Sequence, residues 1–256
     1  MGKAMIGRMM TIGSEIAGLT CRGGRPANED SFTILPLPDG YLIAVADGIG
    51  GQVAGDRASS IAITALRDHF SEAYTGGLKN EEFHRILEEG FIAADRAVKT
   101  AATGNAKGMG TTLVAAFIRR NKAIIAHTGD SRAYHLSGRV VSVTRDHSLV
   151  AEMVQRGLLD SSEVIHHPLR SYITRSIGGD FTVSMKSISL HPGDVLLLAS
   201  DGFYEHLDEQ ILSCESLRDD PAGILRRLMN RVLAVTRDNA TGIVYRSPVF
   251  SSGQKE

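Results

Sequence analysis

The sequence predicts an α+β fold with antiparallel sheet in the middle and helices outside. Two observations carry this: strand-like runs come in pairs joined by turn residues, and long helical patterns are inserted between those pairs in blocks. Such an order argues for layered α+β architecture and against an alternating parallel sheet. Residues 1–12 lack the long apolar core of a signal peptide and are expected to be a short flexible leader. Asp30 to Leu35 and Tyr41 to Ala46 form the first pair, joined by Pro36, Pro38, Asp39 and Gly40, where proline restricts φ and Asp-Gly offers the positive φ of a reversal. Two helical patterns follow, Ala58, Ala62, Ala65, Leu66 and His69, then Phe83, Ile86, Leu87, Ala94, Ala97 and Val98, each at spacings of three and four.

Thr112 to Ile118 and Ala123 to Thr128 make a second pair around Arg119 to Lys122, and Ala133 to Leu136 with Val140 to Val143 a third around Ser137 and Gly138. Leu149, Val150, Met153 and Val154 mark a third helix. A fourth starts after Asp220, a natural N-cap, with Pro221 in its first turn and a stripe of Ile224, Leu225, Leu228, Met229 and Val232. No internal repeat or Pro/Ser-rich linker interrupts the chain, so residues 13–256 are expected to be a single domain.

Composition excludes several functions. The chain has 256 residues and 43% hydrophobic content, enough for a sizeable core. Its 28 basic and 29 acidic residues give a net charge of -1, which leaves no footprint for nucleic acid or a membrane surface. Two cysteines, Cys21 and Cys214, have no paired spacing, so neither a disulfide framework nor a zinc site is expected. No apolar run approaches bilayer length, and a cytoplasmic location is the expectation.

The chemistry gathers where apolar strands stop. Leu42 to Gly48 and Val195 to Gly202 are apolar runs that end in Asp47-Gly48 and Asp201-Gly202. Ala123 to Asp130 ends similarly, Asp238 precedes the apolar run Ile243 to Tyr245, and Glu29-Asp30 opens the first hairpin. Any one Asp-Gly is an ordinary turn, but aspartate is rarely buried unless paired or metal-bound. Oxygen ligands without cysteine or histidine clusters suit hard cations such as Mg2+ or Mn2+, and Gly48 lets a backbone carbonyl approach an ion. Two such ions can deprotonate a bridging water for in-line attack on phosphorus. Arg25, just upstream of Glu29, can fork onto a phosphate, although alone it reads equally as a surface arginine.

Seven motifs appear in one order: Arg25-x-x-x-Glu29-Asp30, Asp47-Gly48-Ile49-Gly50-Gly51, Gly108-Met109-Gly110-Thr111-Thr112, Gly129-Asp130-Ser131-Arg132, Thr144-Arg145-Asp146-His147-Ser148, Ser200-Asp201-Gly202 and Asp238-Asn239. Together they resemble the protein phosphatase 2C family of metal-dependent Ser/Thr phosphatases in its compact microbial form, from about Ile16 to Tyr245. The resemblance implies a sandwich of two antiparallel β-sheets flanked by α-helices on both sides, with a binuclear Mn2+ or Mg2+ site at one end. It implies hydrolysis of phosphoserine and phosphothreonine by a metal-bridging water or hydroxide. Asp47 would bridge the ions, Asp201 and Asp238 would hold one, and Glu29 or Asp30 with the Gly48 carbonyl would serve the other. Asp130 with Asp201 would take a third, weaker ion, and Arg25 would bind the substrate phosphate; Arg25, Asp47 and Asp201 are thus the expected catalytic set. Residues 149–179 resemble the family's variable flap. The implied partners are phosphorylated proteins, with a cognate Ser/Thr kinase or its targets among them.

The chain departs from that pattern where many relatives carry a histidine, at Ile49 and Gln52, so the proton donor to the leaving alkoxide is open; His166 and His167 on the flap read better as exposed loop residues. Thr236-Arg237 stand where Gly-Gly often precedes the last Asp-Asn, and Arg237 reads either as a solvent-facing residue or as one that alters substrate choice. Other chemistries fail on spacing. Neither cysteine is followed six positions later by arginine, and no G-x-x-x-x-G-K-[ST] loop is present. The remaining alternatives are a catalytically silent phosphatase fold that binds phosphoproteins, which loss of a metal acid would favour, and a two-metal phosphodiesterase, which needs a basic groove.

Overall fold

The computed structural model describes residues 7–49, 54–74, 80–216 and 220–249. Its strands are β1 (Gly7–Ile12), β2 (Ile16–Cys21), β3 (Asp30–Leu37), β4 (Gly40–Ile49), β5 (Gly110–Thr111), β6 (Leu113–Arg119), β7 (Lys122–Thr128), β8 (Arg132–Leu136), β9 (Val140–Val143), β10 (Ser184–Ser189), β11 (Val195–Ala199) and β12 (Ala240–Arg246). Its helices are α1 (Ala54–Ala73), α2 (Asn80–Ala101), α3 (Leu149–Gln155), α4 (Asp201–Tyr204), α5 (Glu209–Ser216) and α6 (Pro221–Leu233). One sheet runs β1-β2-β12-β11-β8-β9; the other runs β10-β7-β6-β4-β3, with β5 against the end of β4. Neighbouring strands pair antiparallel throughout.

The period of two along each strand sorts its side chains between layers. On β4, Leu42, Ala44 and Ala46 turn outward onto Leu66 and Phe70 of α1 and Phe91 of α2, while Ile43 and Val45 turn inward. On β11, Val195 and Leu197 turn outward onto Leu225 and Leu228 of α6, while Leu196 and Leu198 turn inward. The inward rows of the two sheets meet in one layer that joins Ile34, Ile43 and Val114 to Ile16, Leu196 and Ile243. The result is a sandwich of two antiparallel sheets between helical layers, as the sequence implied.

Local signals hold at several places. Asp220 caps α6 by accepting from the Gly223 amide at 2.6 Å, Pro221 lies in the first turn, and the predicted stripe is buried. Elsewhere the structure corrects the expectation. Within the leader expected over residues 1–12, Gly7–Ile12 form an edge strand in register with β2, from Gly7 opposite Cys21 to Ile12 opposite Ile16. It covers backbone groups that β2 would otherwise leave unpaired; residues 1–6 lie outside the described part. Gly40 was expected to supply a positive φ, but it is not among the positive-φ residues. A Cβ there would overlap the Ile118 carbonyl of β6, so the close approach of two backbones selects glycine.

Two histidines lock the segment that leads into α3. His147, just before the α3 N-cap Ser148, stacks on His127 with ring centroids 4.7 Å apart. Its Nδ1 accepts from the Gly129 amide at 3.3 Å, and its Nε2 lies 2.9 Å from the Ser184 hydroxyl. Burial, the facing His127 and the charge of Arg175 push its pKa down to about 4. An unfolded histidine takes a proton near 6.5, whereas the folded ring refuses one until about 4. Its contribution is therefore complete above the unfolded value and is lost as pH falls through that window. The unfolding free energy of the native protein minus that of His147→Gln is expected to shrink from pH 7 to pH 4.5 in urea melts; a constant difference would show that the ring is already charged in the fold.

Candidate metal centre

The inward rows of the sandwich stop being apolar at one end. Continuing Ile43 and Val45 by the period of two places Asp47 on the inner face of β4, and continuing Ile34 and Phe32 backward places Asp30 on the inner face of β3. The strand register sets Asp30 directly opposite Asp47. Beyond Leu196 and Leu198 on the same side of β11 comes Ser200, whose hydroxyl donates to Asp30 Oδ2 at 2.8 Å. Thr241, in phase with Ile243, meets Thr20 at 2.6 Å between hydroxyls. Asp47-Gly48 is no turn: β4 continues to Ile49, with Gly48 opposite Thr111 of β5.

Other motifs fix these acids in place. Asp47 donates its amide to Thr112 Oγ1 at 3.0 Å, and its carbonyl accepts from the Thr112 amide at 2.9 Å and the Thr111 hydroxyl at 2.7 Å. The Thr112 hydroxyl reaches Ser131 Oγ at 2.7 Å, beside Asp130, whose carbonyl accepts from Tyr204 Oη at 3.0 Å. Asn239 ties its own loop to three points of the stretch between β2 and β3: its Nδ2 donates to the Arg22 and Ala27 carbonyls at 2.8 and 2.9 Å, and its Oδ1 accepts from the Glu29 amide at 2.8 Å. A Cβ on Gly202 would overlap the Asn239 carbonyl, so α4 can seat against the Asp238 loop only with glycine there. Gly48 meets Gly55 of α1 as closely, and Gly55 in turn meets the Glu29 carboxylate. Arg132 forks onto Asp146 at 2.8 and 2.7 Å and lies over the Tyr204 ring, which links the fourth and fifth motifs.

The electrostatics follow from this crowding. Asp30 and Asp130 are 7% and 8% exposed, and Asp47 and Asp201 are half-buried. Burial lifts Asp30 to about 7, with Asp201 and Asp238 adding to the rise against hydrogen bonds from Thr241 and Ser200. Burial also lifts Asp47 well above the carboxylate range, and the charges of Asp30, Asp201 and Asp130 push the same way. Asp130 rises through burial and then Asp201, Asp201 through burial and then Asp238, and Glu29 through burial against Arg25. Arg25 pairs with Asp238 at 2.6 Å, but with both side chains more than a third exposed the pair neutralises little of the buried charge. Asp30 Oδ1 is buried without a hydrogen-bond partner. An all-oxygen set of like charges with an orphaned acceptor fits a hard divalent cation. Among the described residues no three His, Cys, Asp or Glu close into a finished cage around one point; an ion here would keep water among its ligands, as Mg2+ does readily.

The sequence-predicted residues thus fall into two groups. Asp30, Asp47, Asp130 and Asp201 share the buried end of the sandwich, while Glu29, Asp238 and Arg25 stand at its rim, with Gly48 in between. Ile49 is half-buried, and Gln52 lies outside the described residues. Two clefts flank Asp201, of about 380 and 290 Å³, and Arg170, Glu205 and His206 line both. His166 and His167 line neither, whereas Arg237 lines the smaller one. Sequence reasoning missed Tyr204 and His206, to which only their nearness to Asp201-Gly202 could have pointed, and it placed Ser200 in a motif without its role of holding Asp30.

The sequence matches the Protein phosphatase 2C family over residues 17–240. It is 35% identical over 191 residues to the serine/threonine phosphatase stp of Listeria monocytogenes, covering 72% of this chain and 75% of that one. The fold superposes on the S. agalactiae serine/threonine phosphatase with a TM-score of 0.83 and 30% identity, covering 90% of this chain and 98% of that one. It is also similar to the catalytic domain of the serine/threonine protein phosphatase PstP in complex with two manganese ions, with a TM-score of 0.76 and 30% identity over 90% of this chain and 96% of that one.

Because Asp47 is repelled by three neighbouring carboxylates, Asp47→Asn is expected to raise the melting temperature of the chelator-treated protein at pH 8 by a few degrees. The same change should abolish the rise that Mn2+ produces in the native protein, about 2.7 kcal/mol at one hundred times the dissociation constant. Calorimetry with and without Mn2+ checks both, and an unchanged Mn2+ shift would remove Asp47 from the site.

Proposed function

The chain belongs to the protein phosphatase 2C family, and from that membership we propose that it hydrolyses phosphoserine and phosphothreonine in proteins, with two Mn2+ or Mg2+ ions held at the acidic end of the sandwich. The observation that carries this reading is the set of crowded carboxylates around Asp47, which repel one another, with the half-buried Arg132 offsetting only part of the charge at Asp130.

Asp47 would serve both ions, Asp201 and Asp238 one of them, and Glu29 or Asp30 with the Gly48 carbonyl the other; Asp130 with Asp201 would offer a third, weaker position. When bound, the ions would supply an activated water and offset the charge of the phosphate oxygens. The chain's own residues supply position. The strand hydrogen bonds of Asp47 and the Asn239 ties fix the carboxylates before substrate arrives, so little reorganisation remains at the moment of reaction. Arg25 is held beside the site by Asp238. With Asp238 given over to a cation, the guanidinium would be available to fork onto two phosphate oxygens. The clefts beside Asp201 are lined by Arg170 and Arg237 but also by Glu205, a mixed surface that suits a peptide better than a long polyanion. Among the described residues, no helix is long and apolar enough to cross a membrane. The phosphoproteins acted on would be the targets of a Ser/Thr kinase, or that kinase itself.

Purified protein is expected to hydrolyse an aryl phosphate with added Mn2+ and to lose turnover with chelator. Asp201→Asn should lower the rate about a hundredfold or more, the order of loss when a principal electrostatic group is removed. Folded, Mn2+-loaded protein without turnover would favour the silent phosphoprotein-binding reading. Arg25→Ala is expected to raise KM about tenfold while lowering kcat less, which steady-state kinetics resolve; an unchanged KM would remove Arg25 from the site.

A further inference from the structure

The same strands that carry Asp47 and Thr112 to the acidic end lead at their other end to a second cavity. It has a volume of about 470 Å³ and lies between the start of α2, the β6–β7 turn and the end of β10. Phe83 and Phe117, each 2% exposed, lie beneath its floor; Arg119, Arg120, Asn121 and Lys122 line it from the turn, and Ser189 and the hydrogen-bonded pair Ser187 and His84 from either side. Arg119 is fixed by Asp39 and lies over the Phe83 ring at 5.1 Å. Arg120 and Lys122 are exposed and, among the described residues, neither closes an ion pair, although the charge of Arg120 acts with Arg119 on Asp39. Gly40 at the start of β4 pairs with Arg119, and Asp47 lies seven residues further along that strand. The cavity is therefore about 20 Å from the acidic site, at 3.3 Å per residue.

The backbone of the turn adds an independent observation. Arg120 has a φ of +53°, and it is the described non-glycine residue in the left-handed region. Glycine would adopt that conformation without the steric penalty that a side chain brings. The two-residue turn between the paired Arg119 and Lys122 calls for a positive φ at its first position, and the chain places a guanidinium there, at the cavity mouth, where glycine would fit more easily.

We infer that this cavity is a docking subsite for an acidic segment of the phosphoprotein substrate, with Arg120 and Lys122 as its recognition charges. The inference rests on the phosphatase reading for its purpose but not for its chemistry. Carboxylates of the segment would meet the exposed charges of Arg120 and Lys122 and the Asn121 side chain, beside the Ser187 hydroxyl, which lies 2.9 Å from His84 Nε2. The subsite would raise affinity for a phosphoprotein by two-point attachment and would leave a small phosphate ester unaffected.

The test uses a glutamate-rich peptide without phosphate, its binding to the Mn2+-loaded protein followed by fluorescence anisotropy, and the variants Arg120→Gly and Lys122→Ser. Each variant is expected to weaken the peptide about fivefold to tenfold, and Arg120→Gly to melt at or above the native temperature, since the strain is removed. Aryl phosphate turnover should stay within twofold of native in both. Equal peptide affinity in native and variant proteins, or no binding by the native protein, would overturn the docking subsite while leaving the phosphatase reading intact. Failure of aryl phosphate turnover in the native protein would overturn the phosphatase reading instead. A variant that binds the peptide normally yet loses aryl phosphate turnover would make the turn a structural support and not a docking site.

Discussion

Repulsion among Asp30, Asp47, Asp130 and Asp201 is the constraint around which the rest of the structure is arranged. The sandwich could have ended its inward rows in valine and isoleucine, which would have stabilised it by roughly 1.5–3 kcal/mol for each side chain fully buried. It ends them in carboxylates whose protons are held well above the ordinary range by burial and by one another. A flexible chain would relieve such crowding by moving the acids apart. Here the relief is blocked, because each acid stands on a strand, a helix start or a loop that other residues pin. Thr111 and Thr112 hold the peptide unit of Asp47 from two sides, and Ser200 holds the Asp30 carboxylate. What remains available to the cluster is a proton or a cation, and near neutral pH a divalent cation offsets more charge.

The glycines of the motifs belong to the same constraint. Gly48, Gly55 and Gly202 adopt conformations open to any residue, and what they provide is contact between backbones: β4 against α1, and α4 against the Asp238 loop. A methyl group at Gly48 or Gly202 would push apart elements that each carry a site residue. Asn239 does by hydrogen bonding what these glycines do by absence, since one side chain ties the segment of Arg22 to Ala27 and Glu29 to the residue after Asp238. Acids from four distant stretches of sequence are thus assembled with little freedom left to lose on binding an ion.

Much of this was legible in the sequence because it is written in local periods. Strands show a period of two and helices a period near 3.6, so the hairpins, the long helices and the capped start of α6 could be read directly. The acids were legible as charges where apolar runs stop. Less legible were elements whose reason lies elsewhere in the chain. β1 and β10 lie at sheet edges with only one neighbour, and β10, Ser184–Ser189, has serine at 184, 187 and 189 and lysine at 186, so neither of its alternating faces is apolar enough to announce it. Gly40 answers to a carbonyl in β6, a contact that no window around the Asp39-Gly40 turn contains. The Arg25–Asp238 pair joins residues 213 positions apart, so sequence could assign each a role but not their contact.

The net charge illustrates how a correct sequence-level quantity can hide the relevant one. A total of -1 argues against a nucleic acid, and it would also suggest a surface without electrostatic character. Along β4 and β6 the charge is instead separated, with Asp47 and its neighbours at one end and Arg119, Arg120 and Lys122 at the other. The separation is larger than the Debye length of about 8 Å at physiological ionic strength, so a ligand near one end does not feel the average. A phosphoprotein presenting a phosphate to the cation-loaded end and carboxylates to the basic end would meet attraction at both. Two poles on one rigid strand pair fix the spacing between the groups recognised, and that spacing distinguishes partners in a way that net charge cannot.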